Sequence, residues 1–261
     1  MSIYIVAGIG LKSDLNLPDF ETHTELNEKH WVIQKQSFDL PVRMLPKQQK
    51  FREGNILYLR NGENLSKINF NLKTIEYLYH FNQGVTAQNH FLGVVFPHLL
   101  WDIGDLLLHG SAVEIDGKAY VWLGESGAGK STKALSLIYK NNASLLSDDI
   151  VVIRYLNEKP FVIPYSPRIK ILESTLELLG LNELNLNSLE LRPQKKTIIA
   201  ERFSREPIPL ESISFLKNKG QTNRRKGVGK VKLLLENVHR SRNKKIFCKL
   251  PIEYMEADKY D

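Results

Sequence analysis

Hydrophobic and polar positions divide the chain into two stretches of different character. Over residues 1 to about 90 the apolar residues fall in short runs between polar and turn-forming ones, the spacing of β-structure. Ile3-Tyr4-Ile5-Val6, Trp31-Val32-Ile33 and Pro41 to Leu45 read as strands. Ile56-Leu57-Tyr58-Leu59 runs into Asn61-Gly62, a pair that favours a hairpin turn. Lys73 to Phe81 reads as a short helix. The apolar stretch Phe91 to Gly104 reads as a helix kinked or started near Pro97, since proline lacks the N–H that an unbroken helix needs.

The second stretch alternates strand and helix signals. Leu106 to Ile115 reads as one strand, Asp116-Gly117 as a tight turn, and Lys118 to Leu123 as the returning strand. Thr132 to Lys140 carries Ala134, Leu135, Leu137 and Ile138 at helical spacing. Strands are expected around Ala143 to Leu146 and at Ile150 to Arg154, then a helix over Glu173 to Leu179 closed by Gly180. Thr197 to Ala200 and Ile213 to Leu216 read as further strands, Gln221 to Lys230 as a polar basic loop, and Val231 to Val238 as a last helix. The pattern predicts a mixed α/β protein, with a β-rich N-terminal region over residues 1–90 and a core over residues 91–261.

Composition narrows the function classes. With 261 residues and ordinary apolar content, a packed core is expected, for one large domain or one domain plus a smaller one. The single cysteine, Cys248, excludes an internal disulfide or a cysteine metal cluster and reads as a small core residue. Met1 to Leu11 has no basic n-region, and no apolar stretch reaches membrane-spanning length, so a cytoplasmic protein without membrane partners is expected. The net charge of +7 suits phosphate ligands or an acidic partner. Its late clusters, Arg224-Arg225-Lys226, Lys230-Val231-Lys232 and His239 to Lys245, come with no aromatic platform or recognition motif. Solvated charge is therefore favoured over nucleic-acid binding.

The candidate chemistry centres on Gly124-Glu125-Ser126-Gly127-Ala128-Gly129-Lys130-Ser131, which fits the phosphate-binding pattern G-x-x-x-x-G-K-[ST]. It lies between the Ala119 to Leu123 run and the Thr132 helix, the strand–loop–helix setting the motif requires. Loop N–H groups and the helix N-terminus are suited to phosphate oxygens, Lys130 to the β/γ-phosphates and the Ser131 hydroxyl to Mg²⁺. Ser147-Asp148-Asp149 follows about one helix later. A carboxylate at the end of a neighbouring strand suits Mg²⁺, and the adjacent aspartates allow one to serve the metal while the other takes a proton from an attacking hydroxyl. His109-Gly110 starts the strand pair leading to the loop, which brings His109 within reach of an aspartate or a γ-phosphate. Later in the chain, Lys195, Lys196 and Arg202 are candidate partners for nucleotide or transferred phosphate.

Leu108-His109-Gly110-Ser111, the loop through Thr132, and Leu145-Leu146-Ser147-Asp148-Asp149 together resemble the catalytic domain of HPr kinase/phosphorylase and its stand-alone relatives. The resemblance covers roughly residues 96 to 217 and includes Pro164-Tyr165-Ser166-Pro167-Arg168-Ile169-Lys170 and Pro209-Leu210-Glu211-Ser212-Ile213. It implies a phosphate-loop core of the type shared with phosphoenolpyruvate carboxykinase, and an ATP- and Mg²⁺-dependent serine kinase. His109, Lys130, Asp148 and Asp149 would be catalytic; Gly124 to Thr132 would hold the nucleotide; Ser131 and Asp149 would serve the metal, with the division of base and metal roles between Asp148 and Asp149 left open. The chain departs from the family in lacking an Arg-Gly-Leu-Gly-Ile stretch and in carrying Thr132 where those enzymes usually have an acidic residue. These departures point away from HPr as substrate and from the reverse phosphorylase activity. The compact size and β-rich leading region look most like the stand-alone kinases of lasso-peptide biosynthesis, which implies a peptide bearing an acceptor serine, the C-terminal one. Alternatives are a kinase of free serine or a related metabolite, and a nucleotide-binding regulatory module. A homo-oligomer is left open.

Overall fold

The structure, a computed structural model, describes residues 1–26, 30–36, 49–80, 85–181, 187–188, 195–216, 228–239 and 251–255. The expected strand at Pro41 to Leu45, most of the Gln221 to Lys230 loop, the 224–226 and 240–245 basic clusters and Cys248 lie outside these residues. The chain divides into two compact units, Met1–Leu99 and Leu100–Asp261.

The first unit holds one seven-stranded sheet. Its strands are β1 (Ser2–Val6), β2 (Ile9–Ser13), β3 (Trp31–Lys35), β4 (Gln49–Glu53), β5 (Ile56–Asn61), β6 (Asn64–Asn69) and β7 (Thr74–Leu78), in the order β1-β2-β3-β7-β6-β5-β4. β3 runs parallel to both its neighbours, and every other pair is antiparallel. The hairpin expected after Leu59 forms, with Asn61 opposite Asn64. The helix expected over Lys73 to Phe81 does not: Thr74–Leu78 is a strand and Phe81 is outside the described residues. Ile75 and Tyr77 are buried while Thr74, Glu76 and Leu78 are only half-buried, a period of two that five residues can mask as a helical stripe.

Beyond β7, helix α1 (Val85–His90) continues through a wide π-type turn (Phe91–Val95) into α2 (Phe96–Asp102). The helix thus starts well before Pro97. The wide turn, in which the Phe96 N–H bonds the Phe91 carbonyl, ends two residues before Pro97, the residue that has no N–H to give to a regular helix.

The second unit holds β8 (Leu106–Leu108), β9 (Gly110–Ile115), β10 (Lys118–Leu123), α3 (Lys130–Lys140), β11 (Ser144–Asp148), β12 (Val151–Leu156), β13 (Lys159–Ile163), β14 (Arg168–Leu172), α4 (Glu173–Leu179), β15 (Asn187–Ser188), β16 (Lys195–Ile199), β17 (Ile208–Phe215) and α5 (Val228–Glu236). Seven strands form one sheet in the order β11-β9-β10-β17-β13-β12-β8, and β14-β16-β15 form another. The amphipathic face of α3 explains the layering. Ala134, Leu135 and Ile138 pack in one core cluster with Val113, Trp122 and Leu145 of the first sheet and Ile169, Ile171 and Ile198 of the second. α4 ends at Gly180 as expected, the glycine N–H closing on the last carbonyls.

Leu106 to Ile115 is two strands rather than one, broken at His109. The register is unchanged across the break: Leu108 faces Val151 on one side, Ser111 faces Asp148 on the other. One antiparallel ribbon therefore supplies both ends of the sheet, and its interruption sets His109-Gly110 opposite Asp149-Ile150. Continuous burial of Leu106, Leu107 and Leu108 hides such a break from periodicity. β11 is also not adjacent to the loop strand β10, because β9 lies between them.

Candidate active site

The loop leaves β10 at Leu123, which pairs with Gly110 at the start of β9. Gly124 is needed at the first loop position. Its φ is +146°, and a Cβ there would lie 2.4 Å from the Leu216 carbonyl oxygen at the end of β17. At the far end the loop opens into the N-terminus of α3, where unpaired N–H groups favour an anion. Lys130 folds back over the loop and is only 8% exposed. Its Nζ donates to the Gly124 carbonyl at 2.8 Å and the Glu125 carbonyl at 2.9 Å. Ser126 and Gly127 are exposed at the loop tip, and Ala128, Gly129, Ser131 and Thr132 are half-buried along its return.

Ser131 connects the loop to the aspartates. Its hydroxyl donates to Asp148 Oδ1 at 2.8 Å, and the Ser111 hydroxyl donates to the same oxygen at 2.5 Å. Asp148 Oδ2 accepts the Lys170 backbone N–H at 3.0 Å. Asp148 is 8% exposed, and burial raises its pKa against the pull of these three hydrogen bonds.

Asp149 has a different environment one residue later. It sits in the corner of the ribbon with φ +77°, a left-handed conformation that aspartate adopts more readily than most side chains. The buried Ser147 hydroxyl donates to the Ile150 carbonyl and spans the corner. His109 Nδ1 lies 3.0 Å from the Asp149 carbonyl oxygen and 3.2 Å from Oδ1, and Lys170 Nζ lies 3.0 Å from Oδ2. The hydrogen bond from His109, then the Lys170 ammonium, hold the Asp149 carboxyl well below the usual carboxylate range despite partial desolvation. His109 and Asp149 side chains are each 42% exposed, so this pair is open to an incoming group.

The structure brings His109, Lys130, Ser131, Asp148 and Asp149 into one connected site. Lys196 lies 3.9 Å from Glu173, and the Arg202 guanidinium donates to Asn142 at 2.5 Å. Lys195 pairs with Leu172 in the second sheet. Three further residues join the site. Ser111 and Lys170 stand in segments the sequence marks out, Lys170 two residues after Arg168 on β14, but only the fold shows what they touch. Asn237, just past α5, donates no local signal at all. Its Oδ1 accepts the Gly124 N–H at 3.3 Å and its carbonyl accepts the His109 N–H at 2.7 Å.

The donor set fits a magnesium nucleotide. Mg²⁺ takes one or two protein oxygens and completes its shell with phosphate and water, and Ser131 with Asp148 offers such a pair. Among the described residues no group of three or more His, Cys, Asp and Glu forms a metal cage. The buried Lys130 ammonium rests on carbonyls of its own loop.

A phosphate-type loop beside an aspartate pair thus defines the class of site. No known protein-family signature matches the chain. In sequence it is similar to HPr kinase/phosphorylase of Caldicellulosiruptor bescii, 37% identical over 81 residues, which is 31% of this chain and 25% of that protein. The match therefore spans about a quarter of the length of that relative. The HPr(Ser) kinase/phosphatase of Coxiella burnetii aligns over 45% of this chain and 69% of its own, at 18% identity and a TM-score of 0.29, too low to establish a shared fold. Among the described residues no helix is long and apolar enough to cross a membrane.

Proposed function

We propose that the protein is an ATP- and Mg²⁺-dependent serine kinase, acting on a peptide through its C-terminal serine, as in lasso-peptide maturation. The observation that carries this reading is the division of the two aspartates. Asp148 is buried against the loop serine, and Asp149 faces the open side with His109 and Lys170. The sequence similarity to HPr kinase/phosphorylase supports phosphotransfer as the class of reaction.

MgATP would supply the transferable phosphoryl group and the charge that polarises it. The loop amides and Lys130 bind and orient the phosphates, and Ser131 with Asp148 holds the metal side. Of the two aspartates, between which the metal and base roles were left open, this reading gives the metal to Asp148, whose Oδ1 accepts the Ser131 hydroxyl. Asp149 orients the acceptor hydroxyl and receives its proton as the new P–O bond forms and the bond from the transferred phosphorus to the departing ADP oxygen breaks. A strongly acidic carboxyl is adequate there, because in a loose transition state the hydroxyl loses its proton late. His109 fixes the Asp149 carboxylate and backbone, and Lys170 offsets its charge. ATP as donor fits a cytoplasmic protein.

The test is to incubate the full chain with MgATP and pairs of peptides differing only in a C-terminal serine or alanine. Phosphate on the serine peptide alone, and none with Lys130→Ala enzyme, is expected. Equal turnover of free serine would move the acceptor to a metabolite.

A further inference from the structure

Gly124 is held from three directions. Its carbonyl accepts the Lys130 ammonium at 2.8 Å, its Cβ position is closed by the Leu216 carbonyl oxygen, and its N–H is taken by the Asn237 side chain at 3.3 Å. The first two contacts come from the loop itself and from the neighbouring strand. The third comes from 113 residues further along the chain.

Asn237 is itself fixed on both sides. Its N–H bonds the Leu234 carbonyl at 3.1 Å as α5 closes, Val238 forms a bridge to Leu108, and the His239 N–H bonds the Leu107 carbonyl at 2.8 Å. The segment after α5 therefore lies along the free side of β8, and Asn237 reaches the point where β8, β9 and the loop meet. There its carbonyl also accepts the His109 N–H at 2.7 Å.

We infer that Asn237 is a positioning residue for nucleotide binding, a latch by which the end of α5 orients the first peptide of the phosphate loop. The inference rests on reading Gly124 to Ser131 as a nucleotide-binding loop. The Gly124 N–H lies in the Leu123–Gly124 peptide, whose carbonyl accepts the Leu216 N–H at 2.8 Å, and the next peptide carries the carbonyl on which Lys130 rests. Releasing the first plane frees the Gly124 dihedrals that aim the second, and with it the seat of the Lys130 ammonium. Coupling of this kind is reciprocal: a ligand that fixes the loop must also fix the segment after α5.

Two measurements on the full chain test it, with MgADP as probe so that no turnover intervenes. In Asn237→Ala the acceptor for Gly124 is lost, but the backbone acceptor for His109 remains. By NMR hydrogen exchange the Gly124 amide is expected to exchange faster, the His109 amide to stay as in wild type, and the Kd for MgADP to rise about 3- to 10-fold, the worth of one hydrogen bond. In the wild type, MgADP is expected to slow exchange at Asn237 to His239. Equal acceleration at Gly124 and His109 would mean a merely structural role and overturn the inference. So would an unchanged Kd, or wild-type exchange at 237–239 that ignores the ligand. A wild type that binds no MgADP would overturn the nucleotide reading instead, and the Gly124/His109 split would still decide whether the latch exists.

Discussion

The Ser131 hydroxyl meets Asp148 Oδ1 at 2.8 Å, joining the first turn of α3 to the end of β11, while Asp149 turns away to His109 and Lys170. Both carboxylates meet Lys170, Asp148 through its backbone N–H and Asp149 through its ammonium, and they differ in their other partners, the Ser111 and Ser131 hydroxyls for Asp148 and His109 for Asp149. The two carboxylates are therefore expected to fail differently. Ser131→Ala and Asp148→Asn should weaken binding of MgATP about tenfold while leaving metal-free ATP little changed. Asp149→Asn should bind MgATP normally and lose about 10²-fold or more in transfer, the scale of a general acid–base group. Calorimetry with and without Mg²⁺, beside a transfer assay, separates the cases.

Gly124 and Gly127 both have positive φ, but their surroundings differ. A Cβ at Gly127 meets nothing within 4 Å, whereas one at Gly124 runs into backbone. Gly127→Ala should cost about 1–2 kcal/mol, the left-handed penalty alone. Gly124→Ala should cost more and also abolish nucleotide binding. Thermal melts and MgADP titrations of the two variants check the order.

Arg154 of β12 grips Asp105 with two hydrogen bonds, both 2.7 Å, and the Asp105 side chain is 2% exposed. Burial pushes the Asp105 pKa up, and the Arg154 hydrogen bonds and charge oppose this. Arg154→Met strands the carboxylate and should cost about 3–5 kcal/mol, while Asp105→Leu combined with Arg154→Met should cost much less. Urea unfolding of the single and double variants measures the difference.

In the first unit, burial lowers the pKa of His90 to about 4 from an ordinary 6.5, with the ring edge-on to Tyr79 at 4.7 Å between centroids. The unfolded chain then binds a proton that the folded chain refuses between those two values. The stability contributed is complete above pH 6.5 and is lost as pH falls towards 4. A His90→Phe variant should show a flatter stability profile over that window in urea titrations at stepped pH.

Local signals carried part of the fold and part of the site. α3 and α4 were legible because helix periodicity and the Gly180 stop act within one element. The loop was legible because its residues are contiguous. β7 was not, since Ile75 and Tyr77 are separated from the next apolar positions by too few residues to fix a period. The break at His109 is set by pairing with Asp149 across the ribbon, forty residues away. Lys170 and Asn237 reach the site from β14 and from beyond α5, and only tertiary structure brings them there.

The most direct test of the central claim is intact-mass spectrometry of acceptor peptides after incubation with MgATP and the wild-type chain or Asp149→Asn. A gain of one phosphate on serine-ending peptides with wild type, and none with the variant, is the predicted result. MgATP binding with no phosphate gained by these peptides, by peptides with an internal serine, by free serine or by HPr would contradict it.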